Sequence, residues 1–180
     1  MIKTTRKIFG FILVLLCSFF SAAPSSHAFP HMGGDGWLSL KTTHLNEEIQ
    51  VRYRNPNGSY NRQAIQEIEQ VLRCRITNKI HDVPVKLLEL VDQIQDHFGS
   101  KEVMVLSGFR SPRFNQMLFH TGHKVARNSL HMAGFAMDIS IPGVSTAELR
   151  DYAKGLKIGG VGYYPHNGFV HVDIGRVRYW

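Results

Sequence analysis

Cysteine is nearly absent from this 180-residue chain, with Cys17 and Cys74 the only two. Cys17 falls in an N-terminal segment that reads as an export signal, so Cys74 stands alone after cleavage and no intrachain disulfide can hold the mature fold. Stability must come from packing and from any metal the fold binds. Cys74 itself follows Val71 and Leu72 in an amphipathic segment and reads as a buried small apolar residue. Acidic residues are also scarce, 14 against 21 Lys and Arg, for a net charge of +7. No basic run interleaves with aromatics, which argues against nucleic acid as a partner. Long apolar runs are missing after the N-terminus, and the apolar stretch over 8–20 is shorter than the ~20 residues a spanning helix needs. No stable membrane insertion is therefore expected once the signal is cut, and no repeat or low-complexity stretch follows it.

Lys3, Arg6 and Lys7 form a short basic region, 8–20 is apolar, and Ser26-His27-Ala28 supplies the small residues a signal peptidase reads. We assign 1–28 as a signal peptide, 29–36 as a flexible Gly- and Pro-rich lead-in, and 37–180 as one domain. Leu16 is too large for the position before Cys17 in a lipoprotein box, and Thr5-Arg6-Lys7 faintly echoes a twin-arginine signal, so the export route stays open. Removing three cations and no acid from +7 leaves +4 on the mature chain. That charge suits an anionic cell-wall polymer.

Segments 37–43 and 48–54 have β character and read as a hairpin, followed by an Asn55-Pro56-Asn57-Gly58 turn. Ile65, Ile68, Val71 and Leu72 predict a helix over 61–75. Leu87, Leu88, Val91 and Ile94 predict a second over 84–98, capped by Asp82, with Pro84 in its first turn and Gly99 at its end. Segment 103–106 reads as a buried strand, 109–130 as an irregular, partly helical excursion, and 135–141 as a strand. Ser145 and Glu148 form a capping box for another helix, and 158–164 and 169–174 read as the last strands. The order argues for α+β, a mostly antiparallel sheet with helices packed on one side.

The chemistry concentrates in Ser129-Leu130-His131-Met132-Ala133-Gly134-Phe135-Ala136-Met137-Asp138 and in Phe169-Val170-His171-Val172-Asp173. Two imidazoles and one carboxylate are a common ligand set for catalytic zinc, which keeps its fourth position for water. Spacing alone does not carry that reading. His131 and Asp138 lie an odd number of positions apart, on opposite faces of an ideal strand, so Gly134 must bend the chain. Alternation puts His171 and Asp173 on one face, expected to be the open, polar side of the sheet.

These motifs resemble the zinc D-alanyl-D-alanine metallopeptidases, and within them the murein endopeptidase K branch. The resemblance rests on the Ser-x-His-x-x-Gly-x-Ala-x-Asp run above, Ser107-Gly108-Phe109-Arg110-Ser111, Gly159-Gly160-Val161-Gly162-Tyr163-Tyr164-Pro165 and the strand carrying His171, in order, from 37 to 180. It implies a fold shared with lysostaphin-type endopeptidases and Hedgehog domains. It also implies a Zn²⁺ cofactor, peptidoglycan stem peptides as substrate, and a site in the periplasm or cell envelope. Carried over, His131, Asp138 and His171 match the zinc ligands, and Arg110 matches an arginine facing the substrate, where a guanidinium can grip a carboxylate or an oxyanion. Ser129 either donates to substrate or caps its turn, with capping favoured. Many members carry a catalytic Glu or His two or three residues before the last ligand; here those positions are Phe169 and Gly168, which transfer no proton. Asp173 is the candidate general base or, in the favoured reading, a carboxylate orienting a ligand's free N–H. His166 is the weaker alternative.

The leading reading is a zinc endopeptidase that opens peptide cross-links between glycan strands. A D-alanyl-D-alanine carboxypeptidase would use the same ligands, and a non-catalytic, zinc-stabilised wall-binding module is the third possibility.

Overall fold

Trp37–Thr42 (β1) and Glu48–Arg52 (β2) pair antiparallel as the expected hairpin, with Leu38 and Leu40 fully buried on one face. The computed structural model describes residues 33–99, 102–123 and 125–180; the expected signal peptide at 1–28 and the lead-in as far as Met32 lie outside the described residues. Asn61 caps Arg62–Val71 (α1) through its side chain. Val85–His97 (α2) follows, but Pro84 rather than Asp82 sits at its N-cap, with no side-chain cap bond. The Asp82 carbonyl instead meets His81 Nδ1 at 2.9 Å. Then come Val103–Ser107 (β3), Pro112–His120 (α3), Ala136–Ser140 (β4) and Thr146–Leu156 (α4), which opens on the expected Ser145–Glu148 capping box. Gly160–Tyr164 (β5), Phe169–Asp173 (β6) and Arg178–Tyr179 (β7) complete the order.

Among the described residues these strands form one seven-stranded sheet in the order β2-β1-β3-β4-β6-β5-β7. The fold is α+β and the sheet is mixed. Four pairings are antiparallel, while β1–β3 and β5–β7 run parallel. The β1–β3 pairing has a plain cause: β2 reverses the direction of β1, and the connection through α1 and α2 reverses it again and delivers β3 to the other side of β1. No described helix is long and apolar enough to cross a membrane.

One face of the sheet is apolar. Val105, Met137, Ile139, Val170 and Val172 pack there with Leu88, Val91 and Ile94 of α2 and Leu149 and Ala153 of α4. Burying one such side chain contributes roughly 1.5–3 kcal/mol, so this layer fixes the sheet's register. On the facing strands β4 and β6, Asp138 stands directly opposite His171, and both project away from that layer. Cys74 is buried with Phe109 and Phe114 in a small separate cluster.

The end of the lead-in is anchored rather than flexible. Buried Asp92 accepts from the Gly36 N–H (3.0 Å) and the Tyr53 hydroxyl (2.7 Å), and Arg54 Nη2 donates to the Gly34 carbonyl (2.6 Å). Gly36 has φ 86°, and a Cβ there would collide with the Arg54 carbonyl. Burial pushes the Asp92 carboxyl up to about 6, against the hydrogen bonds from Tyr53 and Gly36. Replacing Tyr53 by Phe strips this buried carboxylate of its phenolic donor. The expected cost is about 1–3 kcal/mol in urea denaturation at neutral pH, and a variant as stable as the parent would contradict the anchoring role.

Candidate metal centre

Three local devices bring the site together. The chain leaves β3 through a register shift between Val105 and Ser107, and Ser107 lies opposite Asp138. Ser129 then enters a short 3-10 turn, Leu130–Ala133, which places His131 outside the strand, so strand alternation does not govern it. Gly134 ends that turn at φ 69°, and a Cβ on it would strike the Asp82 carbonyl oxygen. A left-handed conformation at such a close approach favours glycine. The Arg110 N–H bonds the His131 carbonyl (3.1 Å), pinning the turn to the segment after β3.

The result is three ligand-type atoms in contact. His131 Nε2 lies 3.2 Å from Asp138 Oδ1 and 3.1 Å from His171 Nδ1, and His171 Nδ1 lies 2.9 Å from the same Asp138 oxygen. All three side chains are buried. The outer imidazole nitrogens are engaged too. His131 Nδ1 faces the Gly108 carbonyl at 2.8 Å, and His171 Nε2 faces Asp173 Oδ2 at 3.0 Å. Both outer partners are acceptors, so the protons of the neutral rings belong on the outer nitrogens. That assignment follows from the hydrogen-bond network. The inner nitrogens then present bare lone pairs to each other and to a carboxylate, an arrangement that needs a cation.

The donor set fits zinc. An ion bound tetrahedrally at about 2.0–2.1 Å holds its ligand atoms roughly 3.3 Å apart, close to the spacing found. His131, Asp138 and His171 are thus the residues that would hold it, His131 through Nε2 and His171 through Nδ1. Without a metal, protons carry the strain. Burial lowers the His131 pKa below its ordinary value despite Asp138. Burial also works to lower His171, but its hydrogen bonds with Asp138 and Asp173 prevail and raise it. Burial likewise opposes ionisation of Asp138, yet the neighbouring imidazoles and Arg110 hold its carboxyl far below the usual carboxylate range.

Arg110 and Ser129 both line the cleft over these ligands. Arg110 Nε donates to the Ser107 hydroxyl (2.7 Å), and Nη2 pairs with Asp138 Oδ2. Ser129 occupies the N-cap position, but its hydroxyl makes no capping bond; its carbonyl accepts from Met132 instead. Capping by the side chain, the favoured reading, is not what the structure has.

Asp173 and His166 separate clearly. Asp173 is fully buried. Its Oδ1 accepts from the Gly160 and Gly175 N–H groups and from Arg178 Nη1, and its Oδ2 meets His171 Nε2 and Arg178 Nη2. With both oxygens engaged on the outer side of the imidazole, it has no oxygen free to take a proton from water in the cleft. It is placed to orient His171. His166 is exposed in the Pro165–Asn167 turn and is not among the residues lining the cleft. The face carrying His171 and Asp173 is also not open. Both are buried, with Arg178 on Asp173 and Trp180 against His171 at 5.2 Å between ring centroids.

The cleft also has an aromatic wall that local sequence patterns do not single out. Tyr164 stacks on Phe169 (4.6 Å between centroids), and Trp180 Nε1 donates to the Tyr164 hydroxyl at 2.8 Å. Alternation could have found half of it, since Phe169 shares a face with His171. Nothing in the sequence signals that Trp180 returns to this face.

If Asp173 fixes the His171 tautomer, Asp173→Asn should weaken zinc binding by roughly tenfold to a hundredfold. Competition against a chromophoric chelator measures this, and an unchanged affinity would remove Asp173 from the site.

Residues 32–180 match the family model described as peptidoglycan L,D-endopeptidase MepK. The chain is 33% identical over 144 residues to the peptidoglycan L,D-endopeptidase MepK of Escherichia coli K12 and to that of Shigella flexneri, with 79% of each chain covered. It is 32% identical over 145 residues to the probable peptidoglycan L,D-endopeptidase MepK of Haemophilus influenzae, covering 79% of this chain and 77% of the relative. The motifs that build the centre lie within the matched stretch, and the chain belongs to the peptidoglycan L,D-endopeptidase MepK family.

Proposed function

We propose that this chain is a zinc-dependent peptidoglycan endopeptidase. It hydrolyses peptide cross-links between glycan strands and reaches the periplasm or cell envelope through the signal at 1–28, with 37–180 as the catalytic domain. The observation that carries the reading is the meeting of three buried lone-pair donors, a carboxylate and two imidazoles whose tautomers are set from outside. The names of the relatives support peptidoglycan as the substrate and an internal peptide bond as the target. The fold that the resemblance implies, shared with Hedgehog domains, is part of this proposal.

A zinc ion bound there would supply Lewis acidity toward the scissile carbonyl and acidify a bound water. The protein's own groups do the rest. In the neutral rings, the Gly108 carbonyl and Asp173 hold the proton on the outer nitrogen and so leave the inner one free to bind a metal. Arg110 spends one N–H on Ser107 and one on Asp138, which leaves others of its five for a stem-peptide carboxylate or a developing oxyanion. Phe169 and Gly168 offer no proton-transfer group, and the described residues lining the cleft include no carboxylate besides Asp138. A zinc ion held by His131, Asp138 and His171 would, by acidifying water, supply the role a separate base would otherwise fill.

The test is incubation of the purified mature protein with sacculi, reading released muropeptides by chromatography and mass spectrometry. Dimers should fall to monomers with zinc and not with chelator, while free pentapeptides keep their terminal D-alanine. His131→Ala should retain its secondary structure by circular dichroism and drop to the enzyme-free background. Full release by that variant, loaded with metal, would rule out this centre.

A further inference from the structure

Strand pairing sets more than the metal ligands on the polar face. Gly162 lies opposite His171, and Tyr164 lies opposite Phe169. Alternation therefore puts Tyr164, Phe169 and His171 on the same side. Gly162 leaves that side bare, and the Trp180 indole fills the gap: a Cβ on Gly162 would come within 2.7 Å of the indole ring. The backbone holds Trp180 there through two bonds to β5, Tyr163 N–H to the Trp180 carbonyl (2.9 Å) and Trp180 N–H to the Val161 carbonyl (3.2 Å). Arg178 lies over its ring, 4.9 Å from the centroid.

The indole thus bridges two groups. Its ring adjoins His171, and its N–H reaches the Tyr164 hydroxyl at 2.8 Å. An indole nitrogen only donates, so the phenolic oxygen is the acceptor in that bond and the phenolic proton must point elsewhere. Among the described residues no acceptor receives it. Tyr164 and Ser129 supply the hydroxyl groups in the described lining of the cleft, beside Arg110 and the ligand group. A hydroxyl that accepts one hydrogen bond also becomes a better donor in the next.

We infer that Tyr164 is a substrate-contacting residue, donating its phenolic hydrogen bond to a carbonyl or carboxylate oxygen of the bound stem peptide, and that Trp180 is the positioning residue that aims it. The inference rests on the proposed peptidoglycan substrate and deepens it: the peptide lies against the Tyr164–Phe169 wall with Arg110 also at the cleft. Gly162 belongs to the same device, because any side chain there would displace the indole.

Tyr164→Phe removes the hydroxyl and keeps the stacked ring. With muropeptide dimers released from sacculi by a muramidase, kcat/KM should fall roughly tenfold or more, with zinc content and melting temperature unchanged. Trp180→Phe should lower kcat/KM in the parent background and add little to Tyr164→Phe, because its effect passes through the hydroxyl. A merely structural tryptophan would cost the same in both backgrounds. Unchanged kcat/KM in Tyr164→Phe overturns the substrate contact, and equal losses from Trp180→Phe in both backgrounds overturn the positioning role. If the parent cuts no dimer, the proposed function fails first. The inference is then read from equilibrium binding of the same dimers, where Tyr164→Phe should bind several-fold more weakly; equal binding, or none by the parent, overturns it.

Discussion

Two imidazole nitrogens and a carboxylate oxygen face one another within about a hydrogen bond's length, and the partners behind the two rings are both acceptors. Lone pairs so arranged repel, and burial removes the water that would screen them. The fold tolerates the arrangement because a cation, whether a metal or a proton shared with His171, offsets it. The Gly108 carbonyl and Asp173 are therefore as much a part of the centre as the three inner atoms. Asp173 is in turn held by two backbone N–H groups and Arg178, so the protonation state of His171 is tied to the rim of the sheet.

That constraint explains features far from the cleft. Asp138 and His171 meet because β4 and β6 pair in one register, and the apolar layer of Met137, Ile139, Val170 and Val172 enforces it. A slip of either strand by one residue would send its ligand residue into the helical layer and expose its two apolar side chains, Met137 and Ile139 or Val170 and Val172. His131 arrives from a different kind of structure, a 3-10 turn ended by a left-handed glycine. The centre is therefore rigid on its strand side and depends on one turn on the other. Gly134 and the Arg110–His131 backbone bond stand where that turn could relax.

Much of this is legible in the chain. The run from Ser129 to Asp138 and the strand around His171 carry the three candidate ligands, and the odd spacing points to a break in the strand near Gly134, where a 3-10 turn ends. The hairpin, the Ser145–Glu148 capping box and the helical apolar faces are local patterns, and local patterns are what sequence displays best. The failures share a cause. The dual reading of Asp173 is decided only by who surrounds it, and the cover over its face comes from a two-residue strand too short to have a period. The lead-in reads as flexible from its glycines, yet Gly36 is where Tyr53, Arg54 and Asp92 converge. Trp180 reaches Tyr164 because β7 pairs parallel to β5 on the far side from β6, a topological fact with no local signature.

The central claim is that one ion is shared by His131, Asp138 and His171. Anomalous diffraction at the zinc edge from crystals of the zinc-loaded protein tests it directly. The account predicts one strong peak about 2.0–2.2 Å from His131 Nε2, an Asp138 carboxylate oxygen and His171 Nδ1, with His171 Nε2 still on Asp173. A zinc-loaded crystal with no peak among these three atoms, or with the metal on His171 Nε2, would contradict it.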